Sequence, residues 1–163
     1  MPGSSRWPEP VERVAAFLRQ AGAEARLEEF PEGTSTAEDA ARAVGSHVAD
    51  IVKTLVFLCD GEPVLVLVPG DRRADSAKIA AAAGAGKAKV AGREEVEAAT
   101  GVAPGGVSPF LPGQARDVLI EQTLLGRGTV WVGAGSPSHI AGLAPAELVR
   151  LARARPLDVV EDT

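Results

Sequence analysis

The sequence is poor in the side chains that bind metal ions and form cross-links. It contains one cysteine and two histidines among 163 residues. One cysteine cannot form an internal disulfide, and three such side chains cannot complete a four-ligand zinc site. The cysteine, Cys59, alternates with Leu55 and Phe57 along an apolar segment, which favours a buried structural thiol over a nucleophile. We therefore expect neither a metal site nor a disulfide.

Aromatic residues and net positive charge are also scarce. Aromatic side chains make up 4% of the chain, tyrosine is absent, and the net charge is −5. Such a chain lacks the basic surface and the stacking platforms of a general nucleic-acid-binding protein, so we expect no binding to DNA. Residues 71–93 are a local exception, with six basic side chains against two acidic ones. This segment either attracts a phosphate chain or forms a solvated face, and the sequence favours neither.

Long apolar runs are absent as well. The longest is far shorter than a bilayer span requires, and residues 1–10 are polar and proline-rich, unlike a signal peptide. We therefore expect a cytoplasmic protein with no membrane partner. The length fits one domain, which we place at residues 10–163 after a flexible arm at residues 1–9.

The strongest feature that is present is a hairpin at residues 52–69. Two β-rich apolar segments flank Asp60-Gly61, a pair typical of two-residue hairpin turns. The second segment, residues 64–68, is apolar at every position, which predicts a central strand buried on both faces. Lys53 stands at the start of the first strand, on its apolar face. This cation is either a strand-end side chain whose ammonium reaches water or part of a functional site.

Helical periodicity, capping residues and turn residues assign the remaining elements. Helices are predicted from Pro10 to Gly22, from the cap Thr36 to Gly45, over residues 77–83 and 93–100, and from Pro145 through Ala152. Strands are predicted within residues 24–32, 89–91, 117–121 and 129–133, with an edge strand at 157–160. Residues 101–113 and 133–139 are assigned to glycine-rich loops. Short strands in hairpins mixed with helices predict an α+β domain with a largely antiparallel sheet.

The two glycine-rich loops are candidates for binding a negatively charged group. Glycine lets backbone N–H groups turn toward a ligand, and such donors can stabilise the oxyanion of an acyl-transfer intermediate. Ordinary turns use the same residues, so neither loop is specific alone. His139, at the end of the second loop, is a general base, an orienting donor or a strand-start residue. Ser136 lies three positions before it and suggests a serine hydrolase, although no G-x-S-x-G elbow surrounds it.

Together these features resemble the YbaK/prolyl-tRNA-synthetase-associated editing domain, a family of aminoacyl-tRNA deacylases. The resemblance spans about residues 30–160 and rests on four motifs in a fixed order. They are a Thr-x-x-x-Ala-Ala helix start (Thr36, Ala40, Ala41), the strand-opening Lys53, a G-x-x-x-P loop (Gly105 to Pro109) and a G-x-x-x-H loop (Gly135 to His139).

The resemblance implies a mixed, largely antiparallel, barrel-like sheet surrounded by helices. It also implies hydrolysis of the ester that joins a wrong amino acid to the 3′-terminal adenosine of tRNA. Water would attack this ester with help from a ribose hydroxyl and backbone oxyanion donors, without a metal or cofactor. Catalytic roles would fall to Lys53, Gly105 and His139. Substrate-binding roles would fall to Thr36, Gly106, Val107, Ser108, Pro109, Phe110, Gly133, Gly135 and Ser136.

The implied partner is the acceptor end of a mischarged tRNA, and a synthetase or an elongation factor could supply further specificity. The edited amino acid stays open among alanine, cysteine, serine and threonine, because a pocket discriminates one methylene by only about 1–3 kcal/mol. The alternative is a non-catalytic module that binds an aminoacyl or nucleotide group beside a synthetase.

Overall fold

The computed structural model describes residues 7–30 and 36–162, which form eight β-strands, five α-helices and three short 3-10 helices. The strands are β1 Ala25–Glu29, β2 Val52–Cys59, β3 Glu62–Pro69, β4 Ala88–Val90, β5 Val118–Glu121, β6 Val130–Ser136, β7 His139–Leu143 and β8 Arg155–Leu157. The α-helices are α1 Glu9–Gln20, α2 Ala37–Val44, α3 Ser76–Ala82, α4 Arg93–Thr100 and α5 Pro145–Ala152. Within these described ranges, each helix is too short or too polar to cross a membrane.

The strands are arranged in two sheets. One has three strands in the order β1-β7-β6, and the other has five in the order β4-β2-β3-β5-β8. Neighbouring strands pair antiparallel except β3–β5 and β5–β8, which are parallel. The predicted α+β class and the largely antiparallel pairing are therefore confirmed. The barrel-like outline is made by two open sheets and not by a single closed one.

The β2–β3 hairpin is the central element of the larger sheet, as predicted. Asp60 and Gly61 both have positive φ, 50° and 85°, which matches the twist of the strands they join. Strand β3 lies between β2 and β5, and every side chain from residue 64 to residue 68 has 0% exposure. Burying one such side chain is worth about 1.5–3 kcal/mol, so this strand anchors the core.

The core lies on both faces of β3. Leu65 and Leu67 pack into a cluster with side chains of β6 and β7, so the two sheets face each other across it. The valines that alternate with these leucines pack into a second cluster with Ile79 of α3. Helix α2 covers the smaller sheet, where Ala40 and Ala41 cluster with the buried Trp131.

Helix boundaries follow the caps that the sequence predicts. The Thr36 side chain accepts the Asp39 N–H at 3.0 Å, and Gly45 ends α2 with a φ of 68°. The Asp75 side chain likewise accepts the Lys78 N–H at the start of α3. The five predicted α-helices are all present, with ends within two residues of the prediction.

Two predicted segments are wrong. Residues 133–139 are not a loop, because β6 continues to Ser136 and β7 begins at His139, with a bulge between Gly133 and Ser136. Glycine lowers strand propensity but permits this bulge, where Gly135 has a φ of 103°. The C-terminal strand is β8, parallel to β5 and two residues earlier than predicted. Helix α1 begins at Glu9, within the expected arm, of which residues 1–6 lie outside the described residues.

Candidate active site

A cavity of about 390 Å³ lies between α2, the first half of β2, the turn at residues 104–107 and the β6–β7 hairpin. Strand β4 pairs only with residues 57–59 of β2, so the first half of β2 borders the cavity. Seven of the twelve residues predicted for the site line this cavity: Thr36, Lys53, Gly105, Val107, Gly133, Ser136 and His139. The structure thus brings together the three proposed catalytic residues from three distant parts of the chain.

Lys53 contributes a half-buried cation to the cavity wall. Its Nζ donates a hydrogen bond to the Arg72 carbonyl at 2.9 Å, in the loop that follows β3. This contact fixes the position of the side chain. An ammonium has three donors, so two remain for a ligand.

The turn at residues 104–107 brings Gly105 and its backbone N–H to the lining of the cavity. Pro104 opens a single 3-10 turn, and the Gly106 N–H donates to the Ala103 carbonyl at 2.9 Å. The N–H of Gly105 has no backbone acceptor within the described residues. Because the first N–H groups of a helical turn lack internal partners, this one is available to a developing negative charge.

Glycines hold this turn directly against β6. A Cβ on Gly133 would lie 2.5 Å from the Val107 carbonyl oxygen, and one on Gly106 would lie 3.1 Å from the Gly135 carbonyl oxygen. The cavity wall is therefore formed by backbone packed on backbone, which a side chain at Gly133 would push apart.

His139 is buried at the start of β7, with 3% exposure. Its Nδ1 lies 2.6 Å from Ser136 Oγ, and this oxygen also accepts the Ser138 N–H at 3.0 Å. The Trp7 ring stands edge-on to the imidazole, with ring centroids 5.5 Å apart. Glu29 Oε2 is 3.4 Å from Nε2 but is misaligned, so Nε2 has no hydrogen-bond partner within the described residues.

The remaining predicted residues lie away from this cavity. Gly106, Ser108, Phe110 and Gly135 line a second cavity, of about 460 Å³, on the other side of the turn. The ring of Phe110 is buried in the main core and stacks on Phe17 at 5.9 Å. Pro109 is buried and lines neither cavity. These residues are close in sequence to those that line the 390 Å³ cavity, but the backbone of the turn places them outside it.

Sequence reasoning missed a buried carboxylate that positions two walls of the cavity. Asp50, with 7% exposure, directly precedes Ile51 and β2 and accepts hydrogen bonds from Arg127 Nε at 2.6 Å and from Ser46 Oγ at 2.7 Å. Burial alone would raise the pKa of Asp50, but these bonds and the His47 N–H outweigh it and lower the pKa below 3.8. The carboxylate thus ties the end of α2 to the start of β2. The sequence feature that could have indicated this contact is the presence of two hydrogen-bonding side chains, Ser46 and Asp50, in one short connection.

It also missed Thr54, Pro104 and Pro137, which line the same cavity. Thr54 follows Lys53 on β2, and its Oγ1 is buried without a hydrogen-bond partner within the described residues. The signal for Thr54 was a second polar side chain, next to Lys53, in a strand whose other residues are apolar.

The basic segment at residues 71–93 is partly neutralised by the C-terminal residues. Lys78 Nζ contacts Asp158 at 2.9 Å and Asp162 at 2.7 Å, and these contacts raise its pKa. Arg72 donates to the Glu161 carbonyl at 2.7 Å. These contacts favour the interpretation of a solvated structural face, at least for Lys78.

No group of three or more His, Cys, Asp or Glu side chains in the described part of the chain is placed to hold a metal ion. Cys59 has 1% exposure, and burial raises the pKa of its thiol. A buried thiol with a raised pKa is a poor nucleophile, which agrees with a structural role.

Comparison with known proteins gives a consistent family. Residues 31–151 match the model of the aminoacyl-tRNA editing domain. A crystal structure of a proposed trans-editing enzyme for prolyl tRNA synthetase superposes with a TM-score of 0.86 at 34% identity, over 96% of this chain and 99% of that one. The uncharacterized protein YwhH of Bacillus subtilis strain 168 is 31% identical over 139 residues, covering 85% of this chain and 88% of YwhH.

The chain is also similar to part of a much longer enzyme. A proline--tRNA ligase of Nitratidesulfovibrio vulgaris strain DP4 is 37% identical over 113 residues, which are 69% of this chain and 20% of the ligase. The match therefore covers about a fifth of that protein. With the family match over most of its length and the order of its cavity residues, the chain belongs to the aminoacyl-tRNA editing domain family.

Proposed function

We propose that this protein is a trans-editing aminoacyl-tRNA deacylase of the prolyl-tRNA type, which hydrolyses the ester bond of mischarged tRNA in the 390 Å³ cavity. Family membership and the resemblance to a trans-editing enzyme support the reaction. The observation that carries the site is that Lys53, Gly105 and His139 line one cavity although they are far apart in sequence.

Lys53 receives the negatively charged end of the substrate. Its two unused donors can bind the terminal phosphate of the tRNA or the substrate carbonyl, while the Arg72 carbonyl holds the side chain in place. Because the Lys53 ammonium is already held in position, the entropy cost of ordering it is not added when the substrate binds, and it can orient the ester directly.

Gly105 supplies the N–H that stabilises the oxyanion. Attack on the ester carbonyl moves negative charge onto its oxygen, and one well-placed donor typically increases the rate by about 10²–10³-fold. Because an aminoacyl ester is already reactive, this donor and correct positioning account for much of the acceleration required.

Water is the nucleophile, assisted by a ribose hydroxyl of the terminal adenosine. The cavity contains one serine side chain close to an imidazole, Ser136, and its oxygen is already bonded to both His139 and the Ser138 N–H. This arrangement orients His139 within the cavity. His139 then contacts the attacking water or the amino acid.

A serine esterase is the second candidate, because the 2.6 Å contact between Ser136 Oγ and His139 Nδ1 is the contact an activated serine makes. The hydrogen bond that Ser136 Oγ accepts from the Ser138 N–H argues against this candidate, because it gives Ser136 a structural role in the turn between β6 and β7. Replacing Ser136 separates the two candidates.

The partner is the acceptor end of a mischarged tRNA. With a net charge of −5 and with Lys78 neutralised by acids, the protein offers little basic surface to the tRNA body. Further specificity would come from a synthetase or an elongation factor, and the site of action would be the cytoplasm, where tRNA is charged.

The decisive test is a deacylation assay with tRNAPro charged with alanine, cysteine, serine, threonine or proline. With substrate in at least tenfold excess over protein, we expect repeated turnover of at least one mischarged ester above the rate in buffer. A non-catalytic binding module would give at most a stoichiometric effect. If no ester is cleared faster than in buffer, the proposed function is wrong.

A further inference from the structure

The Lys53 ammonium has one hydrogen-bond partner within the described residues, and that partner belongs to a surface loop. Its Nζ donates to the Arg72 carbonyl at 2.9 Å. This carbonyl lies in the loop at residues 70–75, which joins β3 to α3. Asp71 and Arg73 of this loop are exposed, and Arg72 is half-buried. Because loops with few buried contacts open at low free-energy cost, the position of Lys53 depends on what holds this loop.

Two hydrogen bonds tie the loop to a single distant residue, Glu161. Arg72 Nη2 donates to the Glu161 carbonyl at 2.7 Å, and the Glu161 N–H donates to the Arg73 carbonyl at 2.8 Å. Both bonds use the backbone of Glu161. Arg72 therefore connects in two directions, since its carbonyl accepts from Lys53 and its guanidinium reaches the segment that fixes the loop.

The segment that contains Glu161 is itself attached to the core. Val160, which precedes it, has 3% exposure and forms an antiparallel bridge with Ala74. Lys78 of α3 donates from Nζ to the Asp158 carboxylate at 2.9 Å and to the Val160 carbonyl at 2.7 Å. The Arg72 guanidinium is thus fastened to a fixed part of the fold.

We infer that Arg72 is a positioning residue, whose guanidinium holds the loop so that its own carbonyl keeps the Lys53 ammonium at the cavity wall. Arg72 does not line the 390 Å³ cavity, which agrees with an action through Lys53. This inference rests on the proposed deacylase function. The competing role is a direct contact between Arg72 and a tRNA phosphate, which guanidinium groups bind well. The two roles differ in whether Arg72 still matters once the Lys53 ammonium is absent.

The test is a double-mutant cycle on the mischarged tRNAPro that wild type clears fastest. Arg72→Ala should lower kcat/KM about tenfold, because a charge-assisted hydrogen bond that fixes the loop is lost. The change should fall on the same parameter, kcat or KM, that Lys53→Ala changes. In the Lys53→Ala background, Arg72→Ala should cost less than about twofold, since no ammonium is left to position.

Arg73→Ala is the matched control, because it removes the same charge from an exposed residue of the same loop and keeps the Arg73 carbonyl. It should leave kcat/KM unchanged. Glu161→Pro tests the attachment from its other end, since it removes the N–H that donates to the Arg73 carbonyl, and it should lower kcat/KM as Arg72→Ala does. Rates are compared at a temperature where circular dichroism shows every variant to be folded.

A second readout does not depend on activity. Labelling with an amine-reactive reagent, followed by mass spectrometry, compares the reactivity of Lys53 with that of the exposed Lys89. Release of the Lys53 ammonium from the Arg72 carbonyl should raise this ratio in Arg72→Ala and leave it unchanged in Arg73→Ala.

An equal loss of kcat/KM from Arg72→Ala in the wild-type and Lys53→Ala backgrounds would overturn the inference, by assigning Arg72 to direct tRNA binding. Full activity of Arg72→Ala, or an unchanged labelling ratio, would also overturn it. In each of these cases the wild-type protein would still be a deacylase. Absence of clearance by wild type would instead remove the proposed function, and the labelling ratio alone would then decide whether Arg72 positions Lys53.

Discussion

Replacing Gly133 with alanine should disturb the active site through one backbone contact. The new Cβ would lie 2.5 Å from the Val107 carbonyl oxygen, about 0.9 Å nearer than the 3.4 Å at which ordinary contact begins. Because this neighbour is backbone, it cannot rotate away as a side chain would. The turn that carries Gly105 must therefore move away from β6.

The size of the effect follows from that displacement. Overpacking of this kind costs about 1–3 kcal/mol, and 1 kcal/mol shifts the melting temperature of a domain this size by roughly 2–4 °C. A misplacement of about 1 Å at a reacting centre costs on the order of 10²-fold in rate. We expect Gly133→Ala to melt several degrees below wild type and, where still folded, to hydrolyse mischarged tRNA about a hundredfold more slowly.

The measurements are thermal unfolding by circular dichroism and deacylation at a temperature where both proteins are folded. Gly128→Ala is the matched control, since a Cβ there would meet nothing within 4 Å and its φ is not positive. This control should melt at or slightly above the wild-type temperature. If Gly133→Ala shows the stability and the rate of Gly128→Ala, the proposed packing of the turn on β6 is incorrect.

Two further substitutions test the rest of the site. Asp50→Asn should destabilise the fold by about 1–3 kcal/mol at pH 7 in denaturant unfolding, since Arg127, 36% exposed, is partly screened by solvent. Because the pKa of Asp50 is lowered on folding, its contribution is present above the ordinary value of 3.8 and is lost as the pH falls through the folded pKa. The stability gap between wild type and Asp50→Asn should therefore narrow below about pH 4, and a gap that is constant with pH would contradict the ion pair. Ser136→Ala should retain deacylation within about tenfold of wild type, because the serine only orients His139. A loss of 10⁴-fold or more would instead identify Ser136 as the nucleophile.

Local signals predicted most of the elements. Thr36 caps α2, Asp60-Gly61 closes the central hairpin and Pro145 opens α5, because each of these residues satisfies a backbone requirement within a few positions. The uninterrupted apolar run at residues 64–68 likewise predicted the central strand, since only a strand covered on both faces buries every side chain.

Long-range pairing was harder to predict. The parallel alignment of β5 with β3 and β8 depends on packing between distant segments. The bulged hairpin around Gly135 has the composition of a loop. The separation of Gly105 from Gly106 into different cavities arises from one turn of backbone, which residue spacing does not reveal. The free hydroxyl of Thr54 is visible only when its surroundings are known.

The account is tested most directly by the deacylation rate of Lys53→Ala. Its matched control is Lys89→Ala, which removes an exposed lysine from β4 of the same sheet. Loss of a charge-assisted contact of about 1.5–3 kcal/mol predicts a rate about 10- to 150-fold below wild type on the mischarged tRNAPro that wild type clears fastest. Lys89→Ala should keep the wild-type rate. A Lys53→Ala protein that is folded and as active as Lys89→Ala would contradict the assignment of this cavity as the active site.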